Sequence, residues 1–159
     1  MSIEPPPSLP RAALRLGFLG LAPLAISALI TLSPHLSTAR LGAIAFSLYA
    51  AVLLSFLGGV RCGIEIMRAP NAPNAPRLLF SALPGLAGWG LAVFVVFVTP
   101  ALGASAAFAG LFAAQGAWDY RSARDAAAPA WYPLLRQVLT GGAMLVCLLI
   151  PFATLMRHL

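Results

Sequence analysis

Long runs of apolar residues without a charged side chain constrain this chain more than any other feature of its sequence. Residues 41–60 form one such run, and residues 78–98 form another. A helix of about 20 apolar residues crosses the roughly 30 Å hydrocarbon core of a bilayer. The composition agrees, because 60% of the residues are hydrophobic and 9% are charged, whereas a soluble domain carries roughly 25% charged residues. The sequence therefore predicts an integral membrane protein and excludes an ordinary soluble globule.

The pattern of apolar runs predicts an all-α integral membrane protein with five transmembrane helices. A Pro-rich tail, residues 1–10, precedes a single domain, residues 11–159, whose spans lie near 12–32, 41–60, 78–98, 101–118 and 133–156. Between the second and third spans the chain repeats Ala-Pro-Asn over residues 69–76. Three prolines lie in this repeat, and we expect them to keep it extended because proline breaks helices.

The fourth span is rich in small residues. Ala106, Gly110 and Ala114 recur at every fourth position, and faces of this kind let helix backbones approach closely. We therefore expect the fourth helix at the centre of the bundle. A helix that is merely rich in alanine is the alternative.

The arginines indicate the orientation of the chain in the membrane. The formal net charge is +6, and all ten basic residues are arginines. If the N-terminus is cytoplasmic, eight of them lie on the cytoplasmic side, and Arg40 and Arg157 lie on the other. The positive-inside rule then predicts a cytoplasmic N-terminus and a periplasmic C-terminus. Because no basic stripe is interleaved with aromatic residues, we expect no nucleic-acid partner.

The sequence contains no motif that indicates catalysis. It has no nucleophile elbow, metalloprotease motif or phosphate-binding loop, and no ionisable residue lies in the middle of a span. His35 and His158 fall at helix ends without a neighbouring Cys, Asp or Glu, so we interpret them as interfacial residues and not as metal or haem ligands. The glycines at positions 59 and 63 form a GxxxG pattern that indicates helix packing. We expect no catalytic residue, no metal and no cofactor.

A group of polar and aromatic residues gathers at the predicted cytoplasmic ends of the second, fourth and fifth spans. Asp119 is expected to pair with Arg136 or Arg61, because an unpaired charge near hydrocarbon is costly. Two readings stay open for the group: a collar of ion pairs that fixes the helix ends, or a ligand site. The candidate residues are Arg61, Glu65, Gln115, Asp119, Trp131, Tyr132 and Arg136.

Three segments of the chain resemble a known family. They are LGFLGLAP at residues 16–23, YAAVLLSFLGGVR at residues 49–61, and WYPLLR at residues 131–136 with Leu139 and Thr140. The chain is similar to a domain of unknown function found in small multi-pass proteins of proteobacterial inner membranes, with transmembrane-protein-69-like relatives in mitochondria. The resemblance implies a multi-pass protein of the bacterial inner (cytoplasmic) membrane, and it implies no established activity.

Three functions are compatible with these features. The first is a non-enzymatic accessory or assembly subunit in or beside a larger respiratory or photosynthetic complex, with membrane lipids and other membrane-protein subunits as its partners. The alternative is a small carrier or channel for a neutral or anionic solute. A bundle packed solid through its middle would exclude the carrier. A membrane enzyme with Asp119 and Glu65 as acid and base groups is a third reading.

Overall fold

A computed structural model describes residues 9–98, 101–123 and 129–156 of the chain. These residues form five α-helices: α1 (Arg11–Thr31), α2 (Leu36–Arg68), α3 (Ala75–Val98), α4 (Ala101–Ala123) and α5 (Tyr132–Met156). Several predictions concern parts of the chain outside the described residues. These parts are most of the Pro-rich tail (1–8), the turn at Thr99 and Pro100, residues 124–128 of the polar segment, and Arg157 with His158.

Four of the helices are long and apolar enough to cross a membrane. They are α1, α2, α3 and α5. Helix α4 is long enough, but its described residues are less apolar than those of the other four helices. The reason is that alanine and glycine are less hydrophobic than leucine or phenylalanine. The all-helical membrane architecture is thus confirmed, with five helices of which four qualify as spans by their own composition.

The connection between α2 and α3 is shorter than the sequence predicted. Helix α3 begins at Ala75, inside the repeat expected to be extended. Asn74 caps it, because its Oδ1 atom accepts a hydrogen bond of 3.0 Å from the backbone N–H of Arg77. Pro76 fits the first turn of α3, where its missing N–H is not needed. The expectation of an extended loop through residue 76 was therefore wrong for its last two residues.

Helix α2, and not α4, lies at the centre of the bundle. It packs against α1, α3 and α4, whereas most contacts of α4 are with α5. Phe46 and Leu54 of α2 pack in a fully buried core with Leu24 of α1 and with Phe108 and Phe112 of α4. The expectation that α4 occupies the centre was wrong, because small residues permit close packing without specifying where the partner helix lies.

The helices alternate in direction and bring their arginine-bearing ends together. Arg61, near the end of α2, lies beside Asp119, near the end of α4, and Gly17 of α1 packs on Leu139 of α5. The N-terminal ends of α1, α3 and α5 therefore lie with the C-terminal ends of α2 and α4. We call this side of the bundle the arginine end, and its described arginines are Arg11, Arg15, Arg61, Arg68, Arg77, Arg121 and Arg136.

Helix α4 runs the length of the bundle. Its first turns contribute Ala104 to a buried cluster with Ala43 from the start of α2 and Val95 from the end of α3. Its last turns bring Asp119 to Arg61 at the arginine end. The start of α4 thus packs near the start of α2, and the end of α4 lies near the end of α2.

The contact between α2 and α3 depends on a glycine. Gly58 is buried, and a Cβ atom placed on it would overlap the backbone carbonyl oxygen of Ser81. The helix backbones can approach this closely only where the side chain is absent. The next residue, Gly59, faces open space, with no atom within 4 Å of a Cβ placed there.

These neighbouring glycines give a matched pair of substitutions. Gly58→Ala should destabilise the protein by about 1–3 kcal/mol, because the added methyl group forces the two backbones apart. Gly59→Ala adds the same atom without a clash, so we expect no loss of stability and a gain of up to about 1 kcal/mol from the better helix propensity of alanine. Thermal unfolding of the two variants in the same detergent measures the difference. Equal melting temperatures would show that α2 and α3 do not meet at Gly58.

Candidate functional site

Asp119 is a buried carboxylate held by two arginines at the arginine end. Its residue is 2% exposed. Arg136 donates hydrogen bonds to Oδ2 of Asp119 from both Nε, at 2.7 Å, and Nη2. Nε of Arg61 lies 3.3 Å from the other carboxylate oxygen, Oδ1. The ion pair predicted for Asp119 is therefore present, and it involves both of the arginines considered.

The sequence of α4 explains why this carboxylate points inward. Phe108, Phe112, Gln115 and Asp119 recur at spacings of three and four residues, and all four are buried. Residues at these spacings share one face of a helix. The face is apolar for two turns and ends in polar groups at the arginine end. Arg136 meets it because it lies one turn into α5.

Gln115 completes the cluster with Asp119. Its Nε2 atom lies 3.4 Å from Oδ1 of Asp119, at the long end of hydrogen-bonding distances. Its own carbonyl oxygen, Oε1, is buried and has no hydrogen-bond partner among the described residues. We call Arg61, Gln115, Asp119 and Arg136 the Asp119 cluster.

Trp118 is a contact of this cluster that the sequence analysis missed. The guanidinium carbon of Arg61 lies 5.2 Å from the centre of the Trp118 ring, within the range of a cation–π interaction. The ring also meets Phe80 of α3 edge to face, with centroids 6.0 Å apart. The sequence did contain a signal for this contact. Trp118 directly precedes Asp119, and tryptophan is enriched at membrane interfaces.

Glu65 belongs to a separate cluster, although it was a candidate for the same site. Its Oε2 atom lies 3.5 Å from Nη1 of Arg77, and its Oε1 atom accepts a hydrogen bond of 3.2 Å from the backbone N–H of Asn74. Glu65 thus joins the end of α2 to the start of α3. Sequence reasoning missed Asn74 and Arg77, and the signal was an asparagine two residues before a proline, which is typical of a helix N-terminus.

Trp131 and Tyr132 lie beside a groove and not inside the Asp119 cluster. Their rings contact each other, with centroids 6.3 Å apart. Together with Arg136 they line a cavity of about 270 Å³ between α1, α2 and α5, whose other walls are largely apolar. We call it the α1–α5 groove. Six of the seven candidate residues, contributed by α2, α4 and α5, are therefore close together in space around the start of α5. Glu65 is the exception.

The geometry of the Asp119 cluster suits a structural role better than acid–base chemistry. Both carboxylate oxygens of Asp119 already face donors from Arg61, Gln115 and Arg136. A general base needs an oxygen that can reach the substrate proton. The cluster instead joins the ends of α2, α4 and α5 through charge.

Breaking the cluster on one side should be costly. Asp119→Asn leaves the buried guanidinium of Arg136 without its counter-charge, and such losses cost about 3–5 kcal/mol when the site is fully buried. Arg136→Gln removes one of the two positive charges that face Asp119 and should also destabilise the protein. The loss should be smaller, because Arg61 still faces the carboxylate. Because the double variant removes both charges, it should be more stable than the sum of the single effects predicts.

Thermal unfolding and abundance in the membrane measure this cycle. Gln115→Met is the matched control, since it removes a buried polar group that has an unpartnered oxygen, and we expect a cost below about 1 kcal/mol. If Asp119→Asn is no more destabilising than Gln115→Met, the Asp119 cluster does not hold the helix ends.

Comparisons with known proteins agree with the membrane architecture. Residues 9–152 match the family model described as a protein of unknown function (DUF3429). The chain is 34% identical over 137 residues to Transmembrane protein 69 of Xenopus tropicalis, an alignment that covers 82% of this chain and 50% of that protein. The chain thus spans about half the length of this relative. No solved structure matches it. The family resemblance inferred from the sequence is confirmed, and the chain belongs to the DUF3429 family of proteins of unknown function.

Proposed function

We propose that this protein is a non-enzymatic accessory or assembly subunit that packs against another membrane protein in a larger complex. The observation that carries the proposal is an exposed face of α4 made of small residues alone. We call it the α4 small face. Its residues are Gly103, Ala106, Ala107, Gly110, Ala114 and Ala117.

The α4 small face is open along its whole length. Every one of its residues is exposed, and no atom lies within 4 Å of a Cβ placed on Gly103 or Gly110. From residue 103 to 117 the face extends about 21 Å at 1.5 Å per residue. No side chain on it is larger than a methyl group. A second helix could therefore approach the backbone of α4 closely.

A partner helix suits this face better than lipid does. Association of helices in a bilayer depends on close packing, and small residues permit it. Helix α4 is also the one helix whose described residues are not apolar enough to indicate a membrane span by themselves. A helix of this composition is more stable in a membrane when protein, and not lipid, covers both of its faces. Helices α5 and α2 cover one face of α4, and the proposed partner covers the α4 small face.

The glycines at positions 59 and 63 support the same proposal. The sequence predicted that this GxxxG pattern packs a helix, yet both positions face open space in the described structure. Helix α2 instead packs on α3 through Gly58. A close-packing pattern without an internal partner is available to a helix from another chain.

The interior of the bundle favours an accessory role over a carrier. Phe46, Phe108 and Phe112 fill its centre, and each is at most 2% exposed. A carrier needs a polar pathway with groups that bind and release its solute. Over the described residues the middle of the bundle is instead a packed apolar core.

Site-specific photocrosslinking tests the α4 small face in native membranes. A photoreactive residue at Ala114 should crosslink to one defined membrane protein, and Gly110→Leu should reduce that product about tenfold by blocking close approach. Leu145 of α5, which is 73% exposed, is the control position and should give mainly lipid adducts. Gly90→Leu, at an open glycine of α3, is the matched control substitution and should leave the product unchanged. Lipid adducts alone at Ala114 would contradict the proposal.

The proposed topology is five spans in a bacterial inner membrane, with a cytoplasmic arginine end. The length of α4, and its match to opposite ends of α2, support a full crossing. The collection of seven described arginines at one end supports the orientation. A reporter fused after Leu159 should therefore behave as exported. A cytoplasmic signal from that fusion would contradict either the five spans or the orientation inferred from the arginines.

A further inference from the structure

The α1–α5 groove has the shape and lining of a site for a hydrocarbon chain. Its volume of about 270 Å³ is just below the roughly 300–1,000 Å³ typical of small-molecule sites. Leu16 of α1 and Phe56 of α2 line it and are 74% and 65% exposed. In a membrane these exposed side chains face lipid, so the groove opens sideways to the bilayer. A hydrocarbon chain can enter it without crossing water.

The groove is polar at its arginine end, where Arg136 and Tyr132 line it. Asp119 accepts hydrogen bonds from Nε and Nη2 of Arg136. A guanidinium has five N–H donors, and over the described residues Nη1 has no acceptor. The hydroxyl of Tyr132 likewise has no partner among the described side chains. Donors of this kind bind the oxygens of a phosphate.

Two further arginines give this end an electrostatic preference. Arg11 and Arg15 are exposed in the first turns of α1, next to Ala13 and Leu16, which line the groove. Basic residues at a membrane surface attract anionic headgroups. The groove therefore combines an apolar channel with positive charge at one end, which complements a molecule that has an apolar chain and an anionic head.

We propose that the α1–α5 groove binds an anionic phospholipid, with one acyl chain in the groove and the phosphate accepting a hydrogen bond from Nη1 of Arg136. Tyr132 supplies a second donor, and Trp131 borders the acyl chain near the headgroup. The bound lipid fills the space that α1 leaves beside α2 and α5. This site does not depend on the α4 small face, which lies on another helix.

Native mass spectrometry of the full chain tests the proposal with two probes. These are phosphatidylglycerol and phosphatidylcholine with identical acyl chains, added in equal amounts to delipidated protein. We expect the protein to retain one phosphatidylglycerol with about tenfold preference. Both lipids offer a phosphate to Nη1, but the choline cation of phosphatidylcholine is repelled by Arg11, Arg15 and Arg136. Equal retention of the two lipids would overturn the proposal, since it would indicate bulk lipid at the surface. Retention of neither would indicate another occupant, such as a partner helix, and would also overturn it.

Filling the groove separates this site from general lipid contact. Gly20 lines the groove, and no atom lies within 4 Å of a Cβ placed on it, so Gly20→Leu should fold and should lose the preference about tenfold. Gly90→Leu makes the same change at an open glycine outside the groove and should behave as the wild type. Ala13→Leu is a second filling variant if the first unfolds. Equal preference in the filled and control variants would place the lipid elsewhere.

A headgroup variant completes the test. Arg136→Lys keeps a positive charge opposite Asp119 but removes Nη1, so it should bind phosphatidylglycerol about tenfold more weakly than the wild type does. Unchanged retention of phosphatidylglycerol by this variant, with melting temperature preserved, would show that Arg136 does not contact the phosphate.

Discussion

The burial of one carboxylate determines how three helices of this protein meet. Asp119 is buried at one end of an apolar bundle, and a buried charge is stable only when opposite charges and hydrogen bonds replace water. Arg136 and Arg61 meet this requirement from two other helices. The requirement fixes the rotation of α4, because Phe108 and Phe112 share its face with Asp119 and must turn inward with it. The opposite face of α4, made of glycine and alanine, is turned outward by the same constraint.

Sequence reasoning predicted the parts of the structure that depend on strong, local energy terms. The apolar runs located the helices because removing polar groups from water is expensive at any position in a span. The partners of Asp119 were predictable because the chain has four acidic residues, of which Asp119 alone lies at the end of the fourth span. The preference of an inward carboxylate for arginine left few alternatives.

The remaining features depend on geometry that the residue pattern does not specify. The small residues of α4 show that close packing is possible, but not whether the partner is inside or outside the chain. Gly58 and Gly59 are adjacent and identical, and only the rotation of α2 distinguishes the one that meets α3. The groove was not predicted either, since it arises from the spacing of three helices. Asn74 was missed because the three prolines around it suggested an extended segment. In the structure Asn74 caps α3, which begins within that segment.

Helix α2 is longer than a bilayer requires. Its 33 residues extend about 50 Å, whereas the hydrocarbon core is roughly 30 Å thick. Beyond Arg61 it continues for two turns, and Glu65 there is joined to Asn74 and Arg77 at the start of α3. Glu65 therefore braces the α2–α3 connection at both of its ends. Because a movement of either helix end would break these two contacts, the end of α2 and the start of α3 should move as one unit.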